Sequence, residues 1–201
     1  KSNDAGSTFQ KVYAFGNNPN DDVLWIEQSF SNYDYMYLHQ AYGNQSKLWR
    51  STDHGESWSE INIPLTLRNM NFTLSASNEN ELWVAYFDGG NGQKIYKTNN
   101  GSTSWDNLTT TTLNGKSIWA IAHQYGTDGG VYAATRNGNV YYRNASMSDW
   151  SDYSSGLPAS SEPLRIVPFY TRSKIRLATW NLGVWEAPLY EPSEMIANFA
   201  A

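Results

Sequence analysis

The 201-residue sequence predicts an all-β fold assembled from four repeats of a four-stranded antiparallel unit. Three observations predict it. Nine Trp and fourteen Tyr stand beside many Asn, Ser, Thr and Gly, a mixture of strand formers and turn formers. No long window carries the 3.6-residue apolar period of a helix. A short box closed by an aromatic recurs along the chain, and its closing residues Phe9, Trp58, Trp105 and Trp150 lie 49, 47 and 45 residues apart.

The box is plainest in "STDHGESW", where Ser51, Asp53, Gly55 and Trp58 follow at spacings of 2, 2 and 3. "SNDAGSTF" repeats it with Ser2, Asp4, Gly6 and Phe9. In "TNNGSTSW", Thr98 and Trp105 hold their places, Asn100 replaces the aspartate, and Gly101 sits one position early. "RNASMSDW" keeps little beyond Trp150.

The strands keep the same period. Just before each box, or its expected place, lies a short strand: "KLWRS", "KIYKT", "NVYYRN" and finally "GVWEA". Upstream lies a second, "YMYLHQAY", "LWVAYF", "GVYAAT" and "IRLATW". Further upstream lies a third, "VLWIEQSF", "MNFTLSAS", "SIWAIAHQ" and "PLRIVPFY". The polar segment after each box supplies a fourth. Four strands in each repeat of roughly 40–50 residues mark a β-propeller of four-stranded antiparallel blades.

Elementary chemistry reads the box as a turn. An aspartate in a tight reversal accepts hydrogen bonds from nearby backbone N–H groups, and Gly supplies the positive φ the reversal needs. A loop with one carboxylate lacks the ligand density calcium demands. Asp4 and Asp53 are therefore read as turn residues, neither catalytic acids nor metal ligands.

The pattern Ser/Thr-x-Asp-x-Gly-x-x-Trp/Phe resembles the Asp-box, or BNR repeat, of sialidases, sortilin-type receptors and family 74 xyloglucanases. The resemblance implies a structural hairpin between the third and fourth strands of a blade, away from the active-site face. It also implies a ring of six or more blades, so the four repeats read as part of a larger ring. A closed four-bladed ring, its last blade completed by residues 8–14, is the rival. The tail "GVWEAPLYEPSEMIANFAA" resembles the junction between such a propeller and a PKD-type domain in large secreted Bacteroidetes proteins. Residues 1–190 are thus assigned to the propeller and 191–201 to a linker and the start of the PKD-like domain. Proteins of that kind carry a type IX secretion signal, and the expected setting is secreted or cell-surface and bacterial. The chain opens on "KSNDAGSTF", with neither Met nor leader, and reads as a mature or excised segment.

Composition narrows the partners. A net charge of -5 without clustered Lys or Arg argues against nucleic acid and anionic lipid. No apolar run approaches the ~18 residues of a membrane helix, so no membrane insertion is expected. Cysteine is absent, which removes disulfides, thiolate metal sites and a cysteine nucleophile. The scattered His39, His54 and His123 offer no metal spacing, and no metal or other cofactor is expected. Five Asn-x-Ser/Thr sequons are no more than this Asn-rich composition supplies by chance.

No catalytic set assembles from the motifs. A sialidase resemblance implies an arginine triad, and "LRIVPF" approaches the family's Arg-Ile-Pro element, but Val167 interrupts it and its surroundings fit a strand around Arg165. A xyloglucanase-type site needs two carboxylates flanking the bond. Glu27, Asp34, Asp88 and Asp128 lie near strands or loops without a spacing that pairs them. Aromatic faces that could stack on sugar rings are offered by Tyr35, Tyr37, Trp119, Tyr125 and Trp180, each with inter-blade packing as the competing role. The expectation is a non-catalytic scaffold or recognition module whose partners are a glycan or another surface protein, together with the remaining blades of its own parent chain. The alternative is part of a xyloglucanase- or sialidase-like glycoside hydrolase with catalytic residues outside the segment.

Overall fold

The computed structural model describes residues 2, 4–15 and 21–192. Within them the first sheet runs β1 (Asp21–Gln28), β2 (Met36–Tyr42), β3 (Gln45–Ser51) and β4 (Ser59–Ile61). The second runs β5 (Met70–Leu74), β6 (Leu82–Tyr86), β7 (Ile95–Thr98) and β8 (Asp106–Asn107). The third holds β9 (Ile118–His123), β10 (Val131–Thr135), β11 (Val140–Arg143) and β12 (Ser151–Asp152). A fourth has three strands, β13 (Pro163–Phe169), β14 (Lys174–Thr179) and β15 (Val184–Pro188). Strand order follows chain order in every sheet and all pairs are antiparallel. Single 3-10 turns at Thr111–Leu113 and Tyr170–Arg172 are the helical segments among the described residues.

The sheets stack face to face, and the contacts explain the composition of their strands. Tyr37, Leu48 and Ile61 of the first sheet pack on Phe72, Val84 and Tyr86 of the second. Trp83, Ala85 and Ile95 on its other side pack on Ile121, Ala133 and Tyr141 of the third. Tyr132, Ala134 and Tyr142 then meet Ile166, Ile175 and Leu177 of the fourth. A sheet covered on both faces calls for uninterrupted apolar strands in its middle. "LWVAY" of β6 and "VYAAT" of β10 are such strands, buried at every position. The first strands of successive sheets are neighbours, so β1, β5, β9 and β13 form the inner side of the array.

Residues 8–14 form no strand and do not complete the fourth sheet. The segment lies instead on the first sheet, where Phe15 meets the rings of Trp49 and Trp58 edge-on and its carbonyl accepts from Gln40 Nε2 at 2.8 Å. No closed ring forms through this segment. Of the linker and PKD-like start expected over residues 191–201, residues 193–201 lie outside the described residues.

The boxes close on themselves. Ser51 Oγ donates to Asp53 at 2.7 Å and accepts from Gly55 N at 2.8 Å. Asp53 also accepts from the Ser57 amide at 2.9 Å and hydroxyl at 2.6 Å. Ser2, Asp4, Gly6 and Thr8 repeat the same bonds. The hydroxyl at the seventh box position, Thr8 or Ser57, is thus a working member that the four-residue spacing overlooks. The third copy forms the same turn with Asn100, whose Oδ1 accepts from Thr98 and the Ser104 amide while Nδ2 donates to Ser104 Oγ. Two consecutive residues take positive φ in each: His54 and Gly55 at 60° and 84°, Gly101 and Ser102 at 66° and 82°. Gly101 thus stands one position before the place of Gly6 and Gly55, at the first of the two left-handed positions, with Ser102 at the second, and a Cβ at Gly101 would meet Arg50.

The closing aromatics differ in reach. Trp58 donates its indole N–H to Gly55 O in its own turn, whereas Trp105 and Trp150 donate to Asn62 O and Leu108 O, just beyond the last strand of the preceding sheet. Phe9 lies beside Gly6 but is 79% exposed.

Leu82→Ala is expected to cost about 2–5 kcal/mol in urea unfolding, because a fully buried side chain leaves a cavity. Trp180→Ala, at a site 73% exposed, is expected to stay within about 0.5 kcal/mol. Hydrogen bonds from Ser57 and Ser51 hold the Asp53 carboxyl down to about 2. A depressed folded pKa stabilises above the unfolded value and the benefit disappears as pH falls through about 4 to 2. Asp53→Asn should flatten the acid limb of stability in that window while keeping most of the neutral-pH stability that Asp53→Ala loses.

Candidate functional site

The four inner strands and the loops that follow them enclose a cavity of about 1100 Å³. Trp25 and Glu27 of β1, Thr73 and Leu74 of β5, His123 of β9 and Arg165 of β13 line it. Phe30, Tyr33, Ala76, Tyr125 and Tyr170 line its loop end. That end is shared with the boxes: His54 N donates to Asp34 O and Gly101 N to Asn80 O, in the loops between the first and second strands of their own sheets.

Alternation explains the aim of β1. Trp25 and Glu27 share one face of the strand and turn to the cavity, leaving Ile26 on the other. Glu27 is the only carboxylate among the described lining residues. Burial pushes its carboxyl up to about 7, opposed by the Trp25 indole, the Leu74 amide and the Arg165 charge. Trp25 Nε1 is buried and has no hydrogen-bond partner of normal geometry. The Arg165 guanidinium sits 4.4 Å from the Trp25 ring centroid, a cation–π contact across the cavity.

A run of rings leads from the mouth into the core. Phe30 meets Tyr125 edge-on at 5.2 Å, and Tyr125 stacks on Tyr170 at 5.4 Å. Tyr125 also touches His123, which stacks on Trp83 at 4.7 Å. His123 hydrogen-bonds through Nδ1 to Gly130 O at 2.8 Å, and burial lowers it to about 4, so the ring is neutral and structural. His39 is likewise buried and lowered to about 4, bonded to Ser46 Oγ.

Of the aromatics singled out in the sequence, Tyr125 lies in the cavity. Tyr37 is enclosed between the first two sheets and donates to Glu79 O at 2.7 Å, with Tyr35 packed beside it. Trp119 meets Phe87 edge-on, and Trp180 is exposed on the β14–β15 loop. Asp34 faces His54 at 3.0 Å and Asp88 accepts from Asn69. Neither lines the cavity, nor does Asp128. Among the described residues no three His, Cys, Asp or Glu side chains cluster for a metal. Trp25, Phe30 and Tyr170 escape a sequence reading. The signal that finds them is position: each lies near the end of a first strand or just past it.

Chemically, the site offers aromatic faces, aliphatic walls, one carboxyl that is half-ionised near neutrality, and one guanidinium. Hydrolysis of a glycosidic bond with two protein carboxylates requires a second acid, roughly 5–10 Å from the first. The described lining residues do not provide one.

Antiparallel meanders stacked face to face, first strands inward around a central cavity, define a β-propeller. The chain belongs to the Sortilin-Vps10 family, whose model, described as "Sortilin, neurotensin receptor 3", matches residues 1–175. No curated protein sequence matches it. Among solved structures, the GH74 xyloglucanase of Xanthomonas campestris superposes with a TM-score of 0.62 at 12% identity, over 80% of this chain and 28% of that one. An auxiliary nutrient binding protein of Bacteroides thetaiotaomicron gives 0.63 at 13% identity, over 83% and 38%. Virginiamycin B lyase of Staphylococcus aureus, a catalytically inactive form with quinupristin, gives 0.55 at 18% identity, over 88% and 58%. The chain thus spans less than two thirds of each, and at these identities the likeness is one of fold. No helix among the described residues is long and apolar enough to cross a membrane.

A raised carboxyl favours the unfolded chain once pH exceeds the unfolded value. Stability is therefore expected to fall between about pH 4.5 and 7 on account of Glu27, and Glu27→Gln should remove that slope in urea titrations across the range.

Proposed function

We propose that this chain is a non-catalytic recognition module of a secreted or cell-surface bacterial protein, taking a glycan or a protein segment into the central cavity. One observation carries the reading: the cavity combines aromatic walls with a single carboxyl and no second acid among its described lining residues. Cavities of this size, mostly apolar with a few placed polar groups, suit ligand binding. The family description names a receptor, and one structural neighbour is described as a nutrient binding protein, which favours binding over turnover. The boxes, resembling Asp-boxes, serve as scaffold turns in this reading, and the tail sequence supports a PKD-like domain beyond residue 190 and type IX secretion.

The second reading, part of a glycoside hydrolase, draws on Glu27 itself. A carboxyl held near 7 has the protonation a general acid needs, and its partner acid would come from outside the described cavity lining.

Arrays of glycans and of peptides separate the ligand classes, and a reducing-sugar assay separates binding from turnover. The expected outcome is retention without product release, weakened about tenfold or more by Trp25→Ala, as for a central anchor in a binding site. Sugar release abolished by Glu27→Gln would replace the first reading with the second.

A further inference from the structure

Between the second and third sheets an indole is built into the core. Trp150 is 4% exposed and belongs to a cluster with Ile95, Val131, Ala133 and Tyr141, against which Leu108 packs. Its N–H donates to Leu108 O at 2.8 Å. Trp105 donates to Asn62 O in the same manner between the first and second sheets.

The register carries that seat over to the next pair of sheets. Leu177 pairs with Ile166 and Trp185 as Ala133 pairs with Ile121 and Tyr141. Ile175 stands two residues before Leu177, as Val131 stands before Ala133. Tyr153 N donates to Val140 O as Leu108 N donates to Ile95 O. The counterpart of the Trp150 seat is therefore walled by Val140, Tyr153, Ile175, Leu177 and Trp185, and these five line a cavity of about 270 Å³. Among the described residues no box follows β15 to fill it. The chain crosses instead to the third sheet, where Tyr190 N donates to the Tyr132 hydroxyl and Glu191 accepts from Tyr142 and Asn144.

Size and chemistry agree. A dry cavity of about 150 Å³ already takes benzene, and the further space here suits a second fused ring. The walls are largely apolar, the Trp185 ring supplies an aromatic face, and the exposed Ser155, Gly156 and Glu186 edge the side open to solvent. By the register, Tyr153 O stands where Leu108 O meets the Trp150 N–H.

The geometry points to a second binding site: this cavity takes an indole ring, as free tryptophan or as the tryptophan side chain of another polypeptide, with the ring N–H donating to Tyr153 O. Its walls include neither Trp25 nor Glu27, so it stands independently of the proposed function.

The test titrates the 201-residue chain with indole, N-methylindole, naphthalene, free tryptophan and N-acetyltryptophanamide, followed by ligand-detected NMR. Indole is expected to bind saturably and about tenfold more tightly than N-methylindole, which lacks the donor. Ala187→Leu, which fills the cavity, and Ser155→Phe, at its exposed edge, should each weaken indole about tenfold or more through steric conflict, with circular dichroism unchanged. Trp25→Ala, in the central cavity, should leave indole binding within about twofold, as an independent site requires. Free tryptophan bound without the amide identifies the amino acid as the source, whereas the amide bound as well identifies a polypeptide's side chain; either supports the site. Refusal of both tryptophan forms, equal affinity for indole and naphthalene, or loss through Trp25→Ala with Ala187→Leu silent overturns it. So does binding that disappears in the longest natural polypeptide containing the chain, because a residue of that polypeptide then holds the seat.

Discussion

Two-sided burial governs this molecule. A sheet stacked between two others has no solvent face, so its middle strands must be apolar on both sides, and polar residues are driven to the turns and to the inner edge. β6 and β10 show the first effect, with no exposed position between them. The inner strands show the second. Asn71 and Thr73 reach across to the third sheet, donating to Trp119 O and accepting from His123 N, while Glu27 and Arg165 face the cavity. Chemical variety collects around the axis because the stacking surfaces cannot accommodate it.

The turns complete what the stacking requires. A reversal between two apolar strands must satisfy its own backbone, and the boxes do so with a hydroxyl and a carboxylate that bond inward. This engagement makes the aspartates poor candidates for chemistry, since their acceptor capacity is used within the loop. The later boxes add a link between sheets through Trp105 and Trp150, which tie down the exit of the sheet before them.

The repeated strands were legible because a period of about 47 residues survives in the closing aromatics even where the box decays. The inner strands fell on "VLWIEQSF", "MNFTLSAS", "SIWAIAHQ" and "PLRIVPFY", as the pattern indicated. Box details were less legible. The turn accommodates the early Gly101 because it has two left-handed positions, and Ser102 occupies the second, which the spacing alone does not reveal. The path of residues 8–15 depends on a contact with Trp49 some 34 residues away, which no local pattern announces. The cavity was hardly legible at all. Glu27 stood among several acids and Arg165 looked like a strand residue, because which side of an inner strand turns to the axis depends on stacking between sheets. Among rings, periodicity cannot separate Tyr37, enclosed in the core, from Tyr125, open to the cavity.

Asn100 has one more consequence. The first two boxes rely on a carboxylate that protons can silence, while the third makes its turn with an amide that acid leaves unchanged. The repeats are therefore unequal in how they meet acidity. Acid takes the charged acceptor from the first two reversals and leaves the third reversal's own hydrogen bonds in place.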